Sequence, residues 1–355
     1  MSVTTRPNAS AVRAAEEPLV LRERRHLRTQ RAVKLAILAF LIVALAAVTL
    51  LLGRYTVTIP DFFRIVGGVD IPGASFIVME NRIPRVLIGI MVGAAFGVAG
   101  AVFQTMLRNP LASPDIIGIS YGASASAVFA IAFLGASGLV LSGFAMVGAL
   151  AVALAIYAIS RRGSVAGYRL ILVGIGFSAV LQSVVSFLLT RTDIRVAADA
   201  LAWLNGSLNS SNWDRVTILS VALLVLAPAV VVLSRSLRGL ELGDDAAAGL
   251  GVSVERSRLA LIVTGVLLAA VATAAAGPVA FIAFLSGPIA RRILGGYRPL
   301  VTAALVGAVI VLGADFVGAN LIPGVSLPVG VITGVLGAPF LLWLLATSNR
   351  SGQGG

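Results

Sequence analysis

Few side chains in this sequence could carry out chemistry at a protein site. The chain contains no cysteine, and its single histidine, His26, lies in a polar, arginine-rich stretch near the N-terminus. Disulfides, thiolate metal sites and cysteine nucleophiles are excluded because each of them needs a thiol. A histidine-based catalytic or metal cluster is excluded as well, so we expect no metal ligands and no cofactor on this chain.

The acidic residues offer two candidates, Asp315 and the pair Asp244-Asp245. Asp315 is the carboxylate that we place inside an apolar stretch, where an ionisable group is a functional candidate by default. It stands near one end of that stretch without a second acid, a histidine or a lysine to relay a proton, so we expect a structural hydrogen bond. A single acidic pair is less than the clustered acids that a metal-dependent prenyl-transferring membrane enzyme needs.

The phosphate-binding motif of nucleotide hydrolases is missing. Lys34 is the sole lysine, and no glycine-rich loop precedes it. The chain therefore does not bind ATP through a loop of that kind.

The composition is that of a polytopic membrane protein. Of 355 residues 58% are hydrophobic and 12% are charged, with a mean hydropathy of +1.01, whereas soluble domains carry about 25% charged residues. The 27 basic residues exceed the 15 acidic ones. In a membrane protein such an excess is typical of loop charges that set the orientation, so we expect a lipid bilayer and not a nucleic acid as partner.

Ten apolar stretches are long enough to be spans or buried helices. The first one, about 20 residues long, is too long for the apolar core of a signal peptide and suffices to cross the bilayer. The sequence thus predicts an all-α polytopic membrane protein with about ten transmembrane helices. The stretches lie near residues 33–53, 86–107, 115–135, 139–160, 170–190, 215–234, 259–276, 279–295, 300–318 and 328–347.

The distribution of basic residues predicts the orientation of these spans. Ten spans place both termini on one side, and that side then holds 20 of the 27 basic residues. Because cytoplasmic loops are enriched in Lys and Arg, we expect a cytoplasmic leader (1–32), a transmembrane domain (33–347) and a cytoplasmic tail (348–355).

One loop on the cytoplasmic side, residues 240–256, is longer and more polar than the others. Asp244 and Asp245 precede three alanines, and Gly249 and Gly251 follow them. Acids at the positive start of a helix and glycine past its end predict a short helix here. A short helix on this face is a candidate docking point for a soluble partner.

Several distinct short motifs occur from residue 81 to the last apolar stretch. The sequence Arg82-Ile83-Pro84-Arg85 opens the second stretch, and Arg108-Asn109-Pro110-Leu111-Ala112-Ser113-Pro114 closes it. The others are Gly100 with Gln104, Ile117-Gly118, Gly122-Ala123, Trp203 with Gly206-Ser207-Leu208, Leu242-Gly243 with Gly249-Leu250-Gly251, Gly277-Pro278-Val279-Ala280-Phe281, Ala314-Asp315, and Leu327-Pro328-Val329-Gly330 with Leu336-Gly337-Ala338-Pro339-Phe340. In this combination residues 33–347 closely resemble the FecCD-type permease subunits of ATP-driven importers for ferric siderophores, haem and cobalamin.

The resemblance implies a type II ABC importer permease in a bacterial cell membrane and assigns roles to four groups of residues. Arg82 and Arg85 would dock an extracytoplasmic substrate-binding protein. The cytoplasmic gate would be formed by Asn109, Leu111, Gly167 and Tyr168. The remaining groups are Leu242, Gly243, Gly249, Leu250 and Gly251, which would couple to the ATPase, and Trp203, Gly206 and Ser207, which would line an outer cavity.

The spacing at the start of the second stretch agrees with the docking role. Pro84 in the first turn of a helix costs no hydrogen bond, and it would hold Arg82 and Arg85 at the outer surface as exposed cations. The alternative is that these arginines only anchor the helix at the lipid interface.

Two departures from the family pattern are present. Ser286-Gly287-Pro288 stands where members commonly have Pro-His or Pro-Gln before the arginines Arg291-Arg292. After Ala314-Asp315 the chain also lacks the arginine that many members carry, which weakens the docking surface on this half. We take this as an indication of a heterodimer with a different permease chain, with a homodimer still open.

The function that the resemblance implies is import of a ferric siderophore. The iron would cross inside its chelate, and two ATPase subunits would bind ATP and Mg²⁺. Haem or cobalamin import remains open. An ion-coupled secondary transporter is the runner-up class. It predicts carboxylates or broken polar helices at mid-bilayer, and in the sequence Asp315 alone meets this expectation.

Overall fold

The computed structural model describes residues 9–53, 55–115, 117–160, 166–295, 299–321 and 326–348. Within these ranges the regular secondary structure is entirely helical, and a π-helical segment (Ile77–Arg82) leads into the fourth helix. The helices are α1 (Ala9–Leu51), α2 (Ile59–Val66), α3 (Ala74–Phe76), α4 (Ile83–Met106), α5 (Ile119–Leu134), α6 (Gly138–Ser160), α7 (Ala166–Thr190), α8 (Ile194–Leu204), α9 (Trp213–Glu241), α10 (Asp244–Gly249), α11 (Val254–Ala276), α12 (Ile282–Leu294), α13 (Pro299–Asn320) and α14 (Val329–Ser348).

Each of the ten apolar stretches coincides with a helix. Among the described residues, seven helices are long and apolar enough to cross a membrane: α1, α4 with its preceding turns, α6, α7, α9, α11 and α13. The three remaining stretches form the shorter helices α5, α12 and α14. The predicted all-α polytopic fold is therefore confirmed. Below, "inner" denotes the side on which α1 begins and "outer" the side on which it ends.

The first helix is longer than its membrane-spanning part. It runs without interruption from Ala9 to Leu51, and the boundary expected at residue 32 is not a break in the helix. No glycine or proline occurs between Arg22 and Leu52, so nothing in this segment stops a helix that the apolar stretch has started.

Helix α4 is the centre of the bundle, and α13 lies along it in the opposite direction. The closest approach is at Gly93 and Gly307, where a Cβ on Gly93 would lie 2.4 Å from the carbonyl oxygen of Gly307. Only glycine permits this contact between backbones. Small residues at helix crossings are the usual means of close packing in lipid, where van der Waals contact drives association.

Two of the short helices begin inside the bundle. Gly118, which precedes α5, packs against Gly174 and Ser178 of α7, and Gly174 lies about 12 Å from the inner end of α7 at 1.5 Å per residue. On the other half Phe281, which precedes α12, packs against Gly337, a similar distance along α14 from its outer end. The irregular backbone before each helix thus reaches membrane depth, which requires that protein or a cavity surround it.

Candidate functional site

A cavity of about 590 Å³ lies where the two irregular segments meet α7 and α8. Its polar wall is made of two stripes, Ser120 and Ser124 on α5 and Ser178, Gln182 and Ser186 on α7. Residues four apart share one face of a helix, so each stripe points in one direction. Leu201, Leu204, Val279 and Phe284 are among the apolar residues that complete the wall.

Asp115 is the single charged residue among those that line this cavity. The Ser120 hydroxyl donates a hydrogen bond to one carboxylate oxygen of Asp115. The other oxygen, Oδ2, is buried and has no hydrogen-bond partner in the described part of the chain. An acid at membrane depth is costly unless it is paired or faces water, which makes Asp115 a functional candidate.

The opposite wall of the cavity is aromatic. Phe281 adopts a left-handed backbone conformation (φ 65°) directly before α12, and its ring meets that of Phe284 edge to face. Phe284 in turn contacts Phe340, which contacts Trp343 of α14. These rings form a continuous apolar link between α12 and α14 beside the cavity.

Trp203, Gly206 and Ser207, which by resemblance would line an outer cavity, are not among the residues that line this cavity. Leu201 and Leu204 of α8 face it instead. Gly206 packs on Pro278, and the Ser207 N–H donates to the carbonyl oxygen of Ala276 at 2.7 Å. The segment after α8 therefore joins α11 to α14, and the cavity lies on the neighbouring face of α8.

Arg82 is buried, contrary to the expectation that it is an exposed cation. The residue is 8% exposed, and the guanidinium donates hydrogen bonds to the carbonyl oxygens of Leu50, at 2.7 Å, and Tyr55. These carbonyls lie at and beyond the outer end of α1. Arg82 therefore connects α1 to α4, because α1 leaves carbonyl groups at its end that need donors.

Arg85 forms a two-pronged ion pair with Asp315 of α13. Its Nε and Nη2 donate to the two carboxylate oxygens at 2.7 and 2.8 Å, and the side chains are 15% and 4% exposed. The expected exposure of Arg85 is therefore wrong. Asp315 has a structural partner, as expected, and the partner is an arginine. Docking by Arg82 and Arg85 stays a proposal.

The turn that contains Asn109 and Leu111 is stabilised locally. Asn109 Oδ1 accepts a hydrogen bond from the Leu111 N–H at 2.9 Å, and the Ala112 N–H donates to the Asn109 carbonyl. This is the local turn that asparagine favours. Gly167 and Tyr168 belong to the first turn of α7 and not to a loop; their side chains lie outside the described part of the structure.

A second, inner cavity of about 410 Å³ adjoins this turn. The Gln104 amide, at the inner end of α4, donates to the carbonyl oxygen of Phe284 at 3.0 Å and accepts from Arg291 at 3.2 Å. The cavity is lined by Gln104, Thr105, Arg108, Asn109, Pro110, Glu241 and Arg291. It therefore brings together the ends of α4, α9 and α12.

The predicted short helix in the loop 240–256 is confirmed as α10, with Asp244 and Asp245 in its first turn. Arg258 of α11 pairs with Asp244 at 2.8 Å, and Ala247 is fully buried. Leu242 and Leu250, which flank the helix, are 65% and 67% exposed. The loop therefore holds a fixed helix between two exposed leucines. Gly243 (φ 108°) and Gly251 (φ 81°) provide the backbone turns at its two ends, and Gly249 is its last residue.

Sequence reasoning missed the polar residues of the large cavity. The signal was present, since Ser178, Gln182 and Ser186 recur at intervals of four in a mostly apolar helix. Asp115 was assigned to the start of a span without a role. Among the described residues no group of three or more His, Cys, Asp or Glu side chains is close enough to hold a metal ion.

Comparison with known proteins identifies the family. The model of the FecCD transport family matches residues 39–347. The chain belongs to the FecCD transport family. The FecCD match leaves out the leader and the tail.

Two curated relatives of this FecCD permease cover most of its length. The ferric enterobactin transport system permease protein FepG of Escherichia coli (strain K12) is 39% identical over 299 residues, which are 84% of this chain and 91% of FepG. The achromobactin transport system permease protein CbrC of Dickeya dadantii (strain 3937) is 39% identical over 326 residues, 90% of this chain and 92% of CbrC.

A solved structure shares the fold of this FecCD permease. It is described as a metal-chelate type ABC transporter in an inward-facing conformation, with a TM-score of 0.76 and 28% identity. The match covers 88% of this chain and 98% of that one. The type II importer architecture implied by the sequence motifs is thereby supported along nearly the whole bundle.

Proposed function

We propose that this FecCD permease is the membrane-spanning subunit of an ABC importer that carries a ferric siderophore into the cell. The observation that carries the proposal is the polar cavity at membrane depth, enclosed between two helices that begin inside the bundle. Irregular backbone at this depth is tolerated where it lines a cavity, which a cargo can enter. Such helices also occur in ion-coupled transporters, and the FecCD family match favours the ABC importer over that class. The named cargo of FepG, ferric enterobactin, supports a ferric chelate.

The chelate is held by shape and weak contacts. Serine hydroxyls and the Gln182 amide offer hydrogen bonds, and Phe281, Phe284 and the leucines of α8 offer apolar surface. In binding sites of this kind, a few polar groups orient the ligand and the apolar surface provides most of the contact. The iron stays inside its organic carrier, since the chain offers no thiol and one histidine in the leader.

The turn at Asn109 and Leu111 is the cytoplasmic gate in this proposal. Ser113 and Asp115 line the large cavity, whereas Asn109 and Pro110 line the inner one. The connection 107–118 therefore has a cavity on each side, which is the position that a gate requires. Gly167 and Tyr168 complete the gate by resemblance alone.

The segment around α10 receives the ATPase. Two exposed leucines beside a fixed helix form an apolar contact on an otherwise polar face, and such a patch marks an interaction site. Each of two ATPase subunits would bind ATP and Mg²⁺ and push on the α10 of one permease chain. Leu242 and Leu250 carry the contact, and Gly243, Gly249 and Gly251 shape it.

A second permease chain completes the transport path, and a heterodimer is preferred over a homodimer. Both termini lie in the cytoplasm, so that the outer side faces the extracytoplasmic substrate-binding protein. Docking by Arg85 then requires that an acidic group of that protein compete with Asp315 for the guanidinium. The segment around Trp203, Gly206 and Ser207 shapes the outer mouth by holding α8 in place.

Uptake of iron in cells tests this function. Cells that express this chain with its partner permease, ATPase and binding protein should accumulate ⁵⁵Fe from ferric siderophores. Uptake should cease when the phosphate-binding lysine of the ATPase is replaced. Uptake that survives this replacement, and collapses when the proton gradient is removed, would favour an ion-coupled transporter and overturn the proposal.

A further inference from the structure

Arg108 follows α4 and has an unusual backbone conformation. Its φ of 50° lies in the left-handed region, where a residue with a side chain is strained. The turn is held by two backbone hydrogen bonds, from the Arg108 N–H to Thr105 and from the Asn109 N–H to Gln104. Strain of this kind persists where the surroundings enforce it, and it is concentrated at functional sites.

The strained turn directs the Arg108 side chain toward the segment that precedes α10. A Cβ placed on Gly243 would lie 3.3 Å from Nη1 of Arg108, so the guanidinium lies directly against the Gly243 backbone. Gly243 itself has a φ of 108°. Glu241, two residues earlier, lines the inner cavity together with Arg108. The side chain thus meets the end of α9 and the start of α10.

Helix α10 and its flanks are otherwise fixed as one unit. Asp244 is paired with Arg258, Ala247 is buried, and Gly239 packs against Val252. A push on α10 therefore displaces Gly243 with it. Because Asn109 is the next residue after Arg108, displacement of the guanidinium is passed to the turn that contains Asn109 and Leu111.

We propose that Arg108 is a positioning residue that transmits movement of α10 to the turn of Asn109 and Leu111 through its contact with Gly243. This inference rests on the proposed function, which assigns ATPase coupling to the first segment and the gate to the second. Two packed elements in direct contact are a physical route for coupling, and substitutions along such a route change it measurably.

Labelling of a single cysteine measures the coupling without any cargo. The native chain has no cysteine, so Leu111→Cys can be labelled with a maleimide in the complete importer, assembled with ATPases that lack accessible cysteines. The measured quantity is the maleimide labelling rate with ATP and Mg²⁺ divided by the rate without them. Hydrolysis of ATP and co-purification of the ATPase are measured on the same samples.

Four variants separate the contact from general strain. Arg108→Gly removes the guanidinium and suits the left-handed backbone, so the turn is kept. Arg108→Lys keeps the charge, and Gly243→Ala intrudes on the contact. Gly295→Ala is the matched control, since Gly295 also has a positive φ (57°) on the inner side but no described atom within 4 Å of its Cβ position.

We expect Arg108→Gly and Gly243→Ala to lower the ATP-dependent change in labelling by a factor of about 2 to 30. Arg108→Lys should be intermediate and Gly295→Ala unchanged, with the ATPase bound and active in Arg108→Gly, Arg108→Lys and Gly295→Ala. A full response in Arg108→Gly would overturn the role of Arg108 alone. Absence of any response when Arg108 is intact would overturn the gate assignment, and this inference with it.

Discussion

Two carboxylates at membrane depth, Asp315 and Asp115, have opposite surroundings. Asp315 lies near the outer end of α13 and shares both oxygens with the Arg85 guanidinium. Asp115 lies in the connection before α5, beside the large cavity, where Ser120 donates to one oxygen and the other has no partner in the described residues. The Arg85 guanidinium neutralises Asp315, whereas Asp115 keeps one oxygen available to water or cargo in the cavity.

The surroundings of the two carboxylates distinguish a structural role from a functional one more clearly than their positions in the sequence do. An ion pair buried with good geometry holds two helices in register, and breaking it leaves an uncompensated charge. An unpaired acid on a cavity wall can interact with water or cargo instead. Asp315 attracted attention because it stands in an apolar stretch, yet the structure makes Asp115 the better functional candidate.

The largest expected effect is on stability. Asp315→Asn should destabilise the purified permease by about 3–5 kcal/mol, because the Arg85 charge is left without its partner. Asp115→Asn should change stability by less than about 1 kcal/mol, since it keeps an acceptor for Ser120. Thermal unfolding of both variants in the same detergent measures the comparison. Equal midpoints for the two variants would contradict the division into scaffold and cavity.

A double variant sharpens the first result. Replacing Arg85 and Asp315 together by leucine removes both charges, and such exchanges are often neutral or stabilising. We expect Arg85→Leu with Asp315→Leu to recover most of the stability that Asp315→Asn loses. If the double variant is as unstable as the single one, the loss comes from packing and not from the unpaired charge.

The second effect is on transport. Asp115→Leu should lower the rate of ferric siderophore uptake about two- to tenfold, which corresponds to one lost hydrogen bond in the cavity. Asp115→Asn should fall between this variant and the native protein. Expression and ATPase co-purification serve as controls for folding. Native uptake by Asp115→Leu would show that this corner of the cavity does not contact the cargo.

The smallest effect concerns docking of the binding protein. Because an acid of the binding protein must compete with Asp315 for Arg85, the contact gains no more than an exposed ion pair, about 0–1 kcal/mol. Loss of Arg85 in the leucine double variant should therefore reduce stimulation of the ATPase by loaded binding protein about fivefold at most. The reduction should shrink at high salt. Arg191→Gln with Arg195→Gln, which removes two exposed cations from the same face, is the comparison. If stimulation is unchanged in the leucine variant at every salt concentration, Arg85 has a structural role and does not dock the binding protein.

The helices of the ten apolar stretches and the short cytoplasmic-side helix α10 could be predicted from the sequence, because both predictions depend on local composition. The length of an apolar run decides whether a segment can span the bilayer, and the acids and glycines at residues 243–251 act within one turn of helix. The spacing of the family motifs was not needed for either prediction. The contacts of Arg82 and Arg85 could not be predicted in this way, because their partners, Leu50 and Asp315, are 32 and 230 residues distant.

The sequence by itself determined the class of protein, the helices of its ten apolar stretches and, through its motifs, the family. Tertiary structure alone decided which charges are paired and which face a cavity. The physical reason is that transfer into lipid is a property of each segment, whereas the depth of Asp115 depends on how Gly118 packs against Gly174 of another helix. A charge is neutralised or exposed by what lies beside it, and in this bundle its neighbours come from distant parts of the chain.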